Sequence, residues 1–377
     1  MANEDLTPDK LLEQGLAALS SLLGPTWTVA PRTRPEGAHG ADVIVELKAE
    51  GDSTFTQLLV ELKPSLTPRV VEEVLLPKVS LLQRLSQYTH LMVMAPWVSP
   101  KTQQLLRRYD ISYLDLTGNV SLRVPKPAIV IHTEGASRSP RTLPQEQRKA
   151  TLAGPKAGRL VRLLADVRPP YRAAQLAQVA GLSLAYVSRL LDTLEDQLLI
   201  RRNGRTITEV DWQELLRARA AQSSLLRPNS YIGALAPNGV PAVLDGVRAL
   251  LPDRFDDVAV TGSYAAHHIA PLSAGGQLML YTVPAVDVDD LADDLGLLPV
   301  RENADVLLLR APDRGVFHRS VTRDGLQHVA LSQLVLDCLS GPGRMPAEGE
   351  AVLKYMSEHR DLWRNSTLEQ MSSKPQF

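Results

Sequence analysis

At 377 residues, with 44% apolar and 22% charged residues, the chain has the composition of a globular protein with room for two or three cores. Its one cysteine, Cys338, excludes a disulfide framework and a cysteine-rich zinc cage, and its leucine neighbours Leu334, Leu336 and Leu339 mark it as a buried thiol. The polar start MANEDLTPDK lacks a signal pattern and no apolar run approaches the roughly 18 residues of a membrane span, so the expected location is the cytoplasm, with no membrane partner.

The formal net charge of −1 conceals an asymmetry. From Arg148 to Arg205 eleven Lys or Arg stand against four Asp or Glu, whereas from Pro252 to Asp313 three basic residues stand against eleven acidic ones. Charges are screened over about 8 Å at cellular salt, so a basic middle can meet phosphate while an acidic C-terminal part stays clear of it.

In chain order, Leu11, Leu12, Leu16, Leu19, Leu22 and Leu23 recur at helical spacing. Strands are predicted at 41–47 and 57–62, a helix over 69–85 interrupted by Pro77, a strand at 90–94 and a helix over 100–109. Strands at 111–116, 121–124 and 128–132 complete an α/β domain over 1–136. In the run YLDLTGNVSLRV, Asp115, Gly118 and Asn119 predict a strand-connecting turn in which glycine takes a positive φ.

Asp42 opens one of these strands, and Glu61 and Lys63, two residues apart, share a face of the next. Two carboxylates and a lysine suit metal-assisted phosphodiester cleavage: Asp42 and Glu61 would hold Mg²⁺, Lys63 would steady the attacking oxygen, and Glu13 on the preceding helix would be an outer ligand. The helix, GAD at 40–42 and VELKPSLTPR at 60–69 resemble, in order and type, the PD-(D/E)xK restriction-endonuclease-like fold over residues 8–135. That resemblance implies either a nuclease or a binding and dimerisation platform, because fold and activity are separable.

Residues 137–155 read as a linker rich in Ser, Pro and Arg. A domain over 156–222 follows. A helix at 157–168 ends before Pro169-Pro170, and a short helix through Leu176 and Val179 ends at Gly181. Ser183 caps the next helix, which turns Val187, Leu190, Leu191 and Leu194 inward. Strands at 198–200 and 206–210 around an arginine-rich turn make a wing.

The outward face of that helix carries Ser183, Tyr186, Ser188 and Arg189, which suits reading of base edges in the major groove. Arg201, Arg202 and Arg205 on the wing, with Lys156 and Arg159, are expected on phosphate or in the minor groove. Leu176-Ala177, Ala180-Gly181-Leu182-Ser183, Val187-Ser188-Arg189 and Leu199-Ile200-Arg201 resemble the MarR-like winged-helix superfamily. The resemblance implies a double-stranded DNA partner.

Residues 223–356 read as a third, α/β region, with a tail at 357–377 that is weakly apolar and expected to be disordered. VAVTGSYAAHHIAP at 258–271 has the strand, Gly-Ser turn and helix of nucleotidyltransferases, but the following strand, QLMLYTV, lacks the carboxylates that would hold magnesium. His267 and His268, being adjacent, point apart, and the acidic run at 286–295 is expected on a solvated helix face. Asp324-Gly325, Ser332-Gln333, Leu336-Asp337, Gly341 to Arg344, Glu348 and Glu350 resemble the C-terminal domain of AbiEi-type antitoxins, winged-helix regulators with a degenerate transferase-like domain. The expected fold is thus an α/β multidomain chain: a restriction-endonuclease-like domain, a central winged helix–turn–helix and a degenerate nucleotidyltransferase-like domain. The leading expectation is a sequence-specific transcriptional regulator, acting as a homodimer without a cofactor, because one recognition helix reads too few base pairs. The alternatives are a Mg²⁺-dependent endonuclease delivered by its winged helix, and an antitoxin or adaptor that binds a protein through its C-terminal region.

Overall fold

In the computed structural model, the described residues are 6–32, 42–51, 55–85, 89–140, 150–227, 230–250, 257–272, 276–365 and 367–368. The chain forms two units, one from residues 1–149 with 196–198, the other from 150–195 with 199–377.

The first unit is a seven-stranded sheet whose spatial order equals its chain order: β1 (Trp27–Arg32), β2 (Asp42–Ala49), β3 (Phe55–Leu62), β4 (Thr89–Ala95), β5 (Ser112–Asp115), β6 (Val120–Val124) and β7 (Ile129–Thr133). β3, β4 and β5 run parallel and the other neighbours antiparallel. Parallel neighbours need crossovers, and helices supply them. β3 leads into β4 through α2 (Pro68–Val70), a π-helical turn at Val71–Leu75 and α3 (Leu76–Leu85); β4 leads into β5 through α4 (Pro100–Arg108). The π turn explains how the helix tolerates Pro77: the bonding shifts to i→i−5, with the Leu76 N–H on Val71 O, just before the residue that has no N–H to give.

Alternation along β3 divides the sheet faces. Leu58, Val60 and Leu62 join Leu11 and Leu19 of α1 (Pro8–Leu23), whereas Leu59 packs on the opposite cluster with Val71 and Leu75. The predicted turn is present. Asp115 Oδ1 accepts from the Thr117 and Asn119 N–H groups at 2.8 and 3.1 Å, and Gly118 takes φ 99°.

The second unit has one continuous core from Leu152 to Leu368. It begins with α5 (Pro155–Asp166), β8 (Tyr171–Arg172), α6 (Ala173–Ala180), α7 (Leu184–Asp196), β9 (Ile200–Asn203), β10 (Thr206–Val210) and α8 (Trp212–Ala220). β8 adds a strand that the sequence reading did not expect. Only two residues long, it pairs Arg172 with Thr206 and Tyr171 with Ile207, making a three-stranded sheet in the order β8-β10-β9.

A second seven-stranded sheet, in the order β14-β11-β15-β13-β12-β17-β16, then forms from β11 (Tyr231–Leu235), β12 (Val258–Thr261), β13 (Leu278–Thr282), β14 (Leu298–Val300), β15 (Val306–Arg310), β16 (Val321–Arg323) and β17 (Leu326–His328). Its helices are α9 (Gly239–Ala249), α10 (Gly262–His267), α11 (Val288–Asp294), α12 (Leu331–Leu339), α13 (Met345–Glu358) and α14 (Arg360–Trp363). α8 packs on both α5 and α12, which ties the helix–turn–helix to the C-terminal sheet. The acidic run sits as expected: Val288, Leu291 and Ala292 face in, and Asp289, Asp290, Asp293 and Asp294 face out.

Two expectations are revised. Leu152, from the end of the expected linker, is buried in the core, while 141–149 lie outside the described residues. The stretch after Met356, expected to be disordered, packs on the second unit: Trp363 buries its ring edge-on against Trp212, 4.9 Å between centroids, Asn365 N–H bonds Asp166 O, and Leu368 is buried in the core.

Candidate nucleic-acid interface

The helix–turn–helix owes its corner to one residue. Gly181 ends α6 with φ 62° and ψ 40°, and the Leu182 N–H reaches back to Ala177 O at 2.9 Å, the six-to-one bond of a Schellman stop. Ser183 Oγ accepts from the Tyr186 N–H at 3.4 Å and so caps α7, a duty that occupies part of a side chain expected on DNA.

Val187, Leu190, Leu191 and Leu194 bury one side of α7. The opposite side exposes Ser183, Leu184, Ala185 and Arg189, with Ser188 half-exposed. Tyr186 differs from the sequence expectation: it is half-buried against the core, and burial raises its phenol pKa against the pull of Arg219 and Arg189. Leu184, half exposed at 50%, belongs to this outer face and was not singled out from sequence, where a leucine in a helix reads as core. Its place directly after the capping serine was the available signal.

The wing arginines divide in three. Arg202 is folded back onto α7, 2.8 Å from Asp192 and 2.5 Å from Glu195. Arg201, with its side chain 59% exposed, lies 3.6 Å from Glu209 on the paired strand. Arg205 is exposed beside Gly204 in the turn. Lys156 is exposed in the first turn of α5, whereas Arg159 pairs with Asp313 at 3.1 Å and donates to Ala180 O at 3.1 Å. Arg172, exposed on β8 beside the wing, is a further cation that a two-residue strand concealed.

In the first unit, Asp42 and Glu61 are direct register partners on β2 and β3, and the Asp42 side chain lies outside the described residues. Glu61 is 1% exposed and shares the Leu59 side of β3, where Lys63 Nζ lies 2.8 Å from Oε2 and Lys78 of α3 contacts Oε1. α1 covers the other face, so Glu13, exposed on that helix, stands across the sheet from Glu61. Both oxygens of Glu61 thus face ammonium groups, a setting that repels a divalent cation, and among the described residues no three His, Cys, Asp or Glu side chains group to hold a metal. Glu61, held in this way, does not fit the magnesium that the restriction-like resemblance implies, and the Asp42 side chain, the other expected ligand, lies outside the described residues.

In the C-terminal region, Ser263 of the Gly-Ser turn gives its hydroxyl to Glu348 Oε2 at 2.5 Å, and β13 is wholly buried with no acidic residue. His268 stacks edge-on with Tyr264 and His328. The antitoxin-like residues divide: Ser332, Gln333, Leu336, Asp337 and Glu348 are buried, whereas Asp324, Gly325, Arg344 and Glu350 are exposed. Asp337 accepts from Thr261, Tyr281 and Gln333 at 2.7, 3.0 and 2.7 Å, and Glu350 takes a two-bond grip from Arg217 at 2.8 and 2.7 Å.

Residues 156–204 match the IclR helix-turn-helix domain. That match gives the chain a DNA-binding domain of the kind found in transcription regulators, laid over α5, α6, α7, β9 and most of the wing turn. The expected resemblance was to MarR-like proteins; the family matched is the IclR helix-turn-helix, which supports the expected winged helix. The match covers neither flanking region. No curated protein and no solved structure matches the chain. Among the described residues no helix is long and apolar enough to cross a membrane.

Proposed function

We propose that the chain is a sequence-specific regulator of transcription that reads double-stranded DNA with the first two turns of α7. The observation that carries this reading is the exposed small and polar face of Ser183, Ala185, Ser188 and Arg189, standing on a helix whose other side is fully packed. A helix presented in this way fits the major groove end-on, and its N-terminal residues reach base edges first. Arg189 is the guanine or phosphate contact, Ser188 a hydrogen-bonding neighbour, and Leu184 suits a thymine methyl.

Arg201 and Arg205 contact phosphate from the wing, and Lys156 and Arg172 extend that footprint. Arg202 and Arg159 hold the domain together: one staples wing to helix, the other ties α5 to the end of α6. Tyr186 supports the helix from beneath. Two copies on an inverted repeat supply the base pairs that one helix lacks.

The test is selection of duplexes from a random pool by the full chain. A recovered motif with two-fold symmetry is expected, and recovery without any consensus would overturn sequence-specific reading. For the first unit we assign a binding or pairing role, because Glu61 is held by two lysines. Plasmid incubated with Mg²⁺ or Mn²⁺ should stay intact; nicking that disappears in Glu61→Ala and Lys63→Ala would install the nuclease reading. The antitoxin-like residues Asp337, Glu348 and Glu350 are assigned to the scaffold, where their partners lie.

A further inference from the structure

Between the helix–turn–helix and the C-terminal sheet lies a cavity of about 210 Å³. Four arginines line it (Arg162, Arg219, Arg227 and Arg310) against two carboxylates, Asp313 and Asp337. Both carboxylates are already engaged. Asp313 holds Arg159 at 3.1 Å and the Gly315 N–H at 2.8 Å, and Asp337 holds Thr261, Tyr281 and Gln333.

Arg219 is the anomaly. Its Nε and Nη1 are buried and bond no described residue. Burial, then the like charges of Arg227 and Arg162, push its pKa down to about 10. A guanidinium offers five donors in a fixed fork, and leaving those of Nε and Nη1 desolvated without an acceptor is costly. Arg162, itself buried at 7% exposure, is a second cation on the same wall. With both carboxylates engaged elsewhere, the buried Nε and Nη1 of Arg219 have no acceptor among the described residues.

We propose that this cavity binds the carboxylate or phosphate group of a small anion through Arg219 and Arg162, and, resting on the regulator reading, that the anion is the effector of DNA binding. Planar guanidinium forks suit two-oxygen recognition of such groups. The volume falls below the roughly 300 Å³ at which drug-sized pockets begin, which selects free phosphate or a carboxylate of a few carbons over a nucleotide. The route to DNA is short. Arg219 has Tyr186 of α7 among its electrostatic neighbours, and its Nη2 lies over Gly158 of α5, where a Cβ would sit 3.1 Å away. An anion that draws Arg219 inward therefore acts on the helix that faces the groove.

Calorimetric titration of the full chain with inorganic phosphate, succinate and citrate, each against chloride at matched ionic strength, tests the site without DNA. One probe is expected to saturate at one per chain with a Kd of roughly millimolar or below. Arg219→Gln should weaken it about tenfold or more and Arg227→Gln, on the exposed rim, about threefold. Arg205→Ala should leave it unchanged. Phosphate binding alone identifies free phosphate, and succinate or citrate binding identifies a carboxylate metabolite. Should Arg219→Gln fail to fold by circular dichroism, the rim variant decides. No saturation by any probe, or binding untouched by both substitutions, overturns the site. Anisotropy of a selected duplex then tests the coupling: the probe should shift duplex affinity about threefold in the parent and not in Arg219→Gln. Anion binding with no such shift refutes the effector role, and a chain that binds anion but no duplex refutes the regulator reading instead.

Discussion

Glu61 in the first unit is buried and Arg219 in the second is half-buried with its Nε and Nη1 out of water, and the fold treats the two charges in opposite ways. Glu61 meets an ammonium group at each oxygen. Arg219 meets other arginines, and its Nε and Nη1 bond no described residue. A buried charge that finds its counter-charge within the chain is explained by the fold. One that does not asks for a ligand, since an isolated buried ion costs several kcal/mol. The same contrast recurs in the DNA-facing domain, where Arg202 and Arg159 are consumed by carboxylates and Arg189 and Arg205 stand in solvent.

The sharpest way to break this comparison is to strip Glu61 of both partners. Lys63→Met with Lys78→Met should cost about 3–5 kcal/mol in urea unfolding at neutral pH, because the carboxylate stays buried and uncompensated. Glu61→Gln should cost less, since the lysine side chains, 25% and 34% exposed, turn to water.

Next in size is a pH effect at Asp337. Burial pushes its carboxyl up to about 6, against the hydrogen bonds from Thr261, Gln333 and Tyr281. A folded pKa above the unfolded one favours the native state at low pH, and the contribution is lost as pH rises from about 4 through about 6. Asp337→Asn removes that loss, so its stability relative to the parent should rise by about 3 kcal/mol between pH 4 and pH 7.5. Only the difference shows it. His328, which burial lowers to about 4, loses stability as pH falls through the same range and masks the slope in the parent.

Arg219→Met should raise stability by about 1 kcal/mol, the opposite sign to the lysine pair, because it replaces a half-buried guanidinium, whose Nε and Nη1 bond no described residue, with an apolar stem. A stability loss there would mean that Arg219 is already satisfied. Smallest are the wing effects. Arg205→Ala should lower the salt slope of duplex binding by about one ion with little change in unfolding. Arg202→Ala should leave the slope alone and cost about 0.5–1 kcal/mol of stability.

The helix–turn–helix was legible because its signals are local. Gly181, Ser183 and the buried set from Val187 to Leu194 lie within a dozen or so residues and leave little choice of conformation. Six strands of the first unit could be read in the same way, from short apolar runs separated by turns, but β1 at Trp27–Arg32 was missed and the runs carry no spatial order.

What escaped the sequence were contacts between distant positions. Lys78 meets Glu61 across 17 residues, Asp313 meets Arg159 across 154, and Trp363 docks on Trp212 to order an expected tail. The charge footprint proposed for DNA is therefore smaller than the count of arginines: net charge counts them all, and Arg202 and Arg159 already have carboxylate partners. Glu13 failed as a companion of Glu61 for the same reason. Spacing along the chain places a helix next to a strand and does not say on which face of the sheet.

The central claim is tested most directly by binding of the Arg189→Ala chain to its best selected duplex and to that duplex with single base-pair changes. The account predicts a loss of about 1–3 kcal/mol on the best duplex, with discrimination collapsing at one base pair per half-site and unspecific affinity retained. An unchanged rank order of the duplexes would show that α7 does not lie in the groove.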